Sequence, residues 1–203
     1  MKTSGFGVIV AQQTIQFEGS GAKPTNPHQF KLREIKPQVA SLLNERWHSR
    51  LPKIPWSCIT RNTHYVCYGI FYGTTPYGVG IWSSPVAQNR FKDGKTILEL
   101  RRLALANECP KNTASRVIAV MTKLVTKKFP DIKRLISYQD TEVHKGTIYK
   151  ASNWHKSCET RFASWTTIKR KRNKDQATGK KIRWEKDLAE KEAKKKWLKK
   201  FME

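Results

Sequence analysis

Residues 112–154 read NTASRVIAVMTKLVTKKFPDIKRLISYQDTEVHKGTIYKASNW, and the fold turns on how this stretch is read. The pattern predicts an amphipathic helix from about Thr113 to Phe129, a buried strand Arg134–Tyr138 and a second helix Gly146–Asn153. Small and hydroxyl residues open the first helix, with Asn112 as N-cap. Polar residues (Ser137, Tyr138, Asp140) cluster at the strand end, and Tyr149 and Asn153 fall one helical turn apart. A helix N-terminus beside a strand end is where a pyrophosphate-bearing cofactor is held and chemistry is done.

Upstream, Gly7–Phe17 suggests a strand or hairpin in an arm rich in turn formers, and Phe30–Ile35 alternates as a strand does. A helix starts at Pro37, a residue tolerated in a first turn. Leu51–Cys58 reads as a Pro-punctuated loop. Tyr65–Phe71 and Gly78–Ser83 form a hairpin, and Ile97–Leu105 is a strand. Downstream, Phe162–Ile168 and Lys181–Trp184 supply two last strands. After Ile182 the chain reads as a helix with Asp187–Lys191, Glu190–Lys194 and Glu192–Lys196 at i,i+4 spacing. Its apolar face (Trp184, Leu188, Leu198, Met202) is broken by Lys191 and Lys195, the pattern of a partly exposed helix facing nucleic acid.

This order predicts a mixed α/β domain, residues 29–168, with helices on both faces of one sheet. An N-terminal arm (1–28) precedes it and a basic extension of strand plus helix (169–203) follows. The order is also that of the GNAT acyltransferase fold, in which acyl-CoA binds where two central strands splay apart.

The chain has 203 residues, 40 Lys and Arg against 16 Asp and Glu, and a net charge of +24. Residues 168–203 hold 15 of the basic and 6 of the acidic residues, so the body is basic as well as the tail. A basic body points to a polyanionic partner, and seven Trp and six Tyr favour nucleic acid, because aromatics stack on unpaired bases. Lys169, Arg170, Lys171, Arg172, Lys180 and Lys181 are natural phosphate contacts. Cys58, Cys67, Cys109 and Cys158 show no CxxC or Cys/His ligand spacing, so no structural zinc is expected and free thiols in a reducing cytoplasm are the simplest reading. No apolar run approaches a membrane span, and Phe6–Ala11 is too short for a signal peptide.

Asn112, Thr113, Ala114 and Ser115 leave the first-turn amides of the helix open to a diphosphate. Arg101, Arg102 and Arg116 add countercharge. On local pattern alone NTAS reads more simply as a well-capped helix. Adenine methyltransferase and Rossmann signatures are absent, which disfavours methyl transfer from a sulfonium cofactor.

The segments ERWHSRLP, YGIFYGTTPYGVG, ELRRLAL, CPKNTASRVI, LISYQD and HKGTIYKASNW, spanning roughly residues 45–155, together resemble the Mom family of bacteriophage DNA-modification proteins, a divergent GNAT branch. Lys111–Arg116 contains none of the glycines usual in the GNAT diphosphate loop. The resemblance implies an enzyme that uses acetyl-CoA to convert adenine N6 in DNA to a methylcarbamoyl-type adduct that blocks restriction endonucleases. It would work in the cytoplasm of the infected host. Involvement of iron has been suggested for the family, while one His and one Asp do not make a metal site.

By the same resemblance the family's functional residues fall on Arg101 or Arg102, Ser115, Asp140 and Tyr149. Arg101, Arg102, Leu103, Asn112–Arg116 and Asn153 would bind the cofactor. Tyr149 would protonate the departing thiolate, and Asp140 would deprotonate or orient the amine if its pKa is raised. Ser137, Tyr138 and His48 complete the catalytic candidates, His48 as a base or as a metal ligand with Asp140. The acceptor would be double-stranded DNA with a flipped adenine. Monomer and homodimer both stay open. So do two other readings: a GNAT enzyme acting on tRNA or a hypermodified pyrimidine, and a non-catalytic DNA binder on a degenerate GNAT fold.

Overall fold

The computed structural model describes residues 23–48, 51–160 and 179–188. Its strands are β1 (Lys31–Glu34), β2 (Tyr65–Tyr72), β3 (Thr75–Ser83), β4 (Ile97–Leu105), β5 (Arg134–Asp140), β6 (His155–Thr160) and β7 (Lys181–Asp187). Its helices are α1 (Pro37–Trp47), α2 (Trp56–Thr60), α3 (Thr113–Lys128) and α4 (Thr147–Lys150). All seven strands form one sheet in the order β1-β2-β3-β4-β5-β7-β6. Among the described strands only β4 and β5 are parallel neighbours. A parallel pair needs a crossover, and α3 supplies it.

Two apolar clusters hold the layers. On one face Val117, Ile118, Met121 and Val125 of α3 meet Trp82, Leu98, Leu100 and Leu135 of the sheet, with Tyr149, Trp154 and Trp184 beside them. On the other, Ala40 and Leu43 of α1 and Ile59 of α2 meet Cys67, Val79, Ile81 and Ala104. The sheet is therefore covered on both faces, which explains why β2 and β3 read as near-continuous apolar runs. Gly80 keeps the α3 side close, since a Cβ there would strike the Met121 thioether. The indole N–H of fully buried Trp82 points at the same sulfur, 3.3 Å away.

The elements expected around residues 97–140 form, with β5 extending two residues further, to Asp140. Elsewhere the structure differs. The Pro-punctuated loop gives way at Trp56 to α2, which runs past Cys58 to Thr60 and whose Ile59 is fully buried. The second helix of the opening stretch is a single turn, and Asn153 lies beyond its end at φ +58°. His155–Thr160 is an additional strand. The largest correction concerns the start of the tail. Trp184 and Leu188, expected on an exposed helix face, are core residues, and Asp187 ends β7 instead of pairing along a helix. β7 lies between β5 and β6, so the strand of the basic extension is built into the sheet. Burial explains this outcome: an indole with a bonded N–H gains more in the core than on a charged helix. The arm hairpin, the strand Phe162–Ile168 and the basic helix beyond 188 lie outside the described residues. No helix among the described residues is long and apolar enough to cross a membrane, and all four cysteines are free thiols.

Candidate active site where two strands part

β4 and β5 pair from Ile97–Arg134 to Leu100–Ser137 and stop, although β4 continues to Leu105 and β5 to Asp140. The cause is local. The β3–β4 register passes from Ile81–Arg102 to Trp82–Leu100, which leaves Arg101 unopposed. One extra residue bends a strand and increases its twist, so β4 turns away from β5 just after Leu100.

Tyr149 sits at the mouth of that opening. Its hydroxyl lies 2.9 Å from Ser137 Oγ, and Ser137 Oγ donates to the Leu100 carbonyl at 3.0 Å. A serine has one proton, so the Tyr149 hydroxyl is the donor in the first bond. Burial pushes the phenol above its usual range, against the lowering effect of the Ser137 bond. Tyr149 therefore holds its proton at neutral pH, at the last paired residues of β4 and β5. The ring stacks on Trp184 at 5.4 Å and 13° and meets Trp154 at 5.8 Å.

A one-turn helix cannot hold itself in place, and α4 is tied from three sides. Its N-cap Gly146 has φ +74°, where a Cβ would collide with the Gln139 side chain and the Trp184 ring. Gln139 takes the Trp184 indole N–H at 2.7 Å and donates to the His144 carbonyl. Ser152 Oγ lies 2.6 Å from the Ile148 carbonyl and 3.1 Å from the Ser115 carbonyl, which joins the end of α4 to the first turn of α3. Buried Lys186 of β7 donates to the carbonyls of Ser152 and Asn153. No sequence pattern marks Ser152 or Lys186, because their partners are backbone carbonyls.

At the start of α3, Asn112 occupies the N-cap position in the left-handed region (φ +68°) and makes no side-chain cap. The expected asparagine cap is absent. Ser115 Oγ instead donates to the Asn112 carbonyl at 3.0 Å, and buried Thr113 Oγ1 to the Pro110 carbonyl at 2.7 Å. A cleft of about 480 Å³ opens here, lined by His28, Lys111, Asn112, Ser115, Arg116 and Ala151 among others, with no acidic residue in its wall. Arg116 Nε is buried without a hydrogen-bond partner. Side-chain-uncapped amides, the helix dipole and these cations suit a diphosphate. Ala114 is half-buried in the same turn, and Leu103 packs on the α3-side core.

Arg101 and Arg102 are not part of this cleft. Arg101 Nη1 donates to the Cys58 carbonyl of α2 at 3.3 Å, and Arg102 Nη1 to the Arg101 carbonyl at 2.8 Å. They serve the α1/α2 face, where Arg102 and His144 act electrostatically on His48. Burial first, then those two charges, lower His48 from 6.5 to about 4. Its Nδ1 accepts the Leu51 N–H at 3.2 Å, so neutral His48 carries its proton on Nε2 and is a donor. The expected role as a base loses its basic nitrogen to that bond.

Tyr138 and Ser137 point to opposite faces, as neighbours on a strand must. Tyr138 is pushed up by burial and by Glu99, partly offset by the charge of Arg183 and the hydrogen bond it makes. Asp140 Oδ1 accepts the Glu142 N–H at 3.0 Å, and its carbonyl accepts the His144 N–H at 3.1 Å, so Asp140 also shapes the turn leading to α4. Lys181 pairs opposite Asp140, and the Lys180 carbonyl accepts from Thr141. Lys169, Arg170, Lys171 and Arg172 lie outside the described residues. Among the described residues no group of three or more His, Cys, Asp or Glu side chains is placed to hold a metal ion.

Known proteins share this architecture. The aminoglycoside acetyltransferase AAC(6')-Ib, solved with ribostamycin and coenzyme A, superposes with a TM-score of 0.56 at 11% identity, over 79% of this chain and 94% of that one. The ribosomal-protein-S5-alanine acetyltransferase of Vibrio fischeri does so with a TM-score of 0.56 at 14% identity, over 78% and 93%. These likenesses show a GNAT acetyltransferase fold. In sequence, the methylcarbamoylase Mom of Escherichia phage Mu is 28% identical over 100 residues, 46% of this chain and 42% of that protein. The match thus spans less than half of that relative's length. The sequence model of the Mom protein family matches residues 29–202, nearly all of the described fold, and the chain belongs to that family.

Proposed function

We propose that this protein is an acetyl-CoA-dependent DNA-modifying enzyme that acts on the N6 amine of adenine. Transfer from the thioester delivers an acetyl group, and a methylcarbamoyl-type adduct that blocks restriction needs, in addition, a nitrogen donor at the hydroxylamine oxidation level to supply its extra NH. The observation that carries this reading is the Tyr149 proton, held by Ser137 where β4 and β5 part in a chain of the Mom family. When bound, acetyl-CoA supplies an electrophilic thioester carbon and a thiolate leaving group. The first turn of α3, with Ser115, Lys111 and Arg116, would hold the diphosphate in the cleft. Tyr149 Oη, held by the Ser137 hydroxyl, would supply the proton that a leaving thiolate needs.

The amine of adenine is a weak nucleophile because its lone pair is delocalised into the ring, so it must be positioned and relieved of a proton. Asp140, at the end of β5, takes that proton, and His48 Nε2–H, Arg101 and Arg102 orient the acceptor from the α1/α2 face. Trp154 and Trp184 pack around the Tyr149 ring and keep water from it. The target base leaves the duplex at a cost of a few kcal/mol, offset by phosphate contacts of a chain carrying +24, among them Lys169–Arg172, Lys180 and Lys181. The family relative is phage-encoded, which supports work inside an infected bacterium. No step is assigned to iron.

Mass spectrometry of nucleosides from DNA co-expressed with the protein tests the reading. Acetyl and methylcarbamoyl adducts differ by one NH, so the same spectrum identifies the group. An unmodified adenine pool would reject it. A second reading has a specific basis: the GNAT neighbours carry out their reactions on unrelated amines, and phosphate contacts do not specify a base. Altered tRNA or a modified pyrimidine beside unmodified adenine would favour that alternative. Calorimetric titration with acetyl-CoA tests the remaining one, since no heat at millimolar ligand would leave a DNA binder on the same fold.

A further inference from the structure

Trp56 is 48% exposed and lies outside the core and the diphosphate cleft. It opens α2, a five-residue helix whose position is fixed from several sides. Ile59 is fully buried beneath it. The Asn62 side-chain amide closes its end on the Cys58 and Ile59 carbonyls at 2.8 and 2.9 Å. The Arg101 guanidinium reaches the same Cys58 carbonyl. Trp56 therefore presents an indole to solvent from a fixed base, two residues from the carbonyl that Arg101 touches.

The surroundings are basic. Arg61 follows α2 and is exposed. Arg101 and Arg102 join α2 to the region of His48 and His144. His144 hangs from the Asp140 carbonyl, and Lys181 sits opposite Asp140 with Lys180 beside it. Acidic residues are interspersed: Asp140 and Glu142 share the turn after β5, Glu99 lies close to Arg101, Arg102 and Lys181, and Glu45 pairs with Lys53. An exposed indole on a fixed base, with the exposed Arg61 at the end of its helix and Arg101 bonded to that helix, matches the composition that binds unpaired nucleic acid, where a ring stacks on a base while cations follow the backbone.

We infer that Trp56 is a base-stacking residue: it packs on an unstacked nucleotide of the DNA at the rim of the acceptor face, with Arg61, Arg101 and Lys180–Lys181 along the phosphates. The inference deepens the proposed function and rests on its DNA substrate. Stacking at this point replaces contacts that a nucleotide loses on leaving the duplex.

The test is fluorescence anisotropy of short labelled single-stranded DNA of random sequence with the full chain over a series of salt concentrations. Trp56→Ala is expected to weaken binding by about 5- to 150-fold, the range for one base–aromatic stack. The slope of log affinity against log salt should not move, because no charge is removed. Lys181→Ala should instead lower that slope by about one ion. Trp56→Phe should recover most of the affinity, and DNA should quench wild-type tryptophan emission more than that of Trp56→Phe, a readout that holds if Trp56→Ala fails to fold. Wild-type and Trp56→Ala affinities within twofold, a slope change in Trp56→Ala, equal quenching, or tighter binding to hairpin RNA than to DNA would overturn the inference. DNA binding that depends on Trp56 without any modified nucleoside would reject the proposed function and leave this surface standing.

Discussion

The two faces of the sheet hold their functional groups in opposite ways. On the α3/α4 face Tyr149 is buried among Trp82, Trp154 and Trp184, and its one polar atom bonds to Ser137. On the α1/α2 face His48, Arg102, Tyr138 and Glu99 form a partly buried set whose members shift one another's charge. Burial raises Tyr149 and lowers His48 for the same reason, since both are kept neutral. The first face holds one proton in one place, and the second gathers polar and charged groups. The parting of β4 and β5 connects them.

Each variant below probes one side of that contrast. The largest effect is expected for Tyr149→Phe. It should keep the melting temperature and DNA affinity while lowering modification by about 10²–10⁴-fold, the usual contribution of a positioned acid. Retained modification would mean that the buried face is only a core. For Asp140, two variants separate chemistry from shape, because an Asn side-chain oxygen can still accept the Glu142 N–H. Asp140→Asn and Asp140→Ala should both lose about 10²-fold in modification rate if the carboxylate takes a proton. Activity in Asp140→Asn alone would reduce Asp140 to a turn residue.

Gly146→Ala should cost about 2–4 kcal/mol in thermal or urea unfolding, from its left-handed backbone and its contact with Trp184 and Gln139. A neutral result would show that α4 can shift, and with it Tyr149. Lys186→Met removes the ties to Ser152 and Asn153, and should cost about 1–3 kcal/mol. It should lower kcat more than it raises KM for acetyl-CoA, because it loosens α4 and leaves the cleft residues in place. The smallest effect concerns pH. His48 is lowered in the folded state from 6.5 to about 4, so the unfolded chain binds its proton first as pH falls. Stability should be full above about 6.5 and be lost progressively down to about 4. His48→Gln should flatten that part of the acid-unfolding curve, and an unchanged curve would show that the shift is not felt.

Much of the fold was legible because local patterns and tertiary demands agree between Ile97 and Asp140. The alternation of β4, the apolar stripe of α3 and the short run of β5 each match the surface they bury. The tail misled because Lys-rich sequence around Trp184 has helical charge spacing, while the indole was worth more in the core against Tyr149 and Gln139. The same limit applies at the site. Tyr149 and Asp140 were visible through a family pattern, and Ser115 through its place at a helix start. The ties that position them run to carbonyls of Ser152, Asn153 and Leu100, and every residue has a carbonyl.

The chain alone established a basic protein, a mixed α/β order and a helix start able to face an anion, because charge, periodicity and capping chemistry are properties of neighbouring residues. Only the tertiary structure decided that Arg101 is the bulge that parts two strands, that Ser137 meets the Tyr149 hydroxyl, and that His48 is a donor. Those outcomes depend on strand register and on which groups are removed from water, and both are set by contacts between residues distant in sequence.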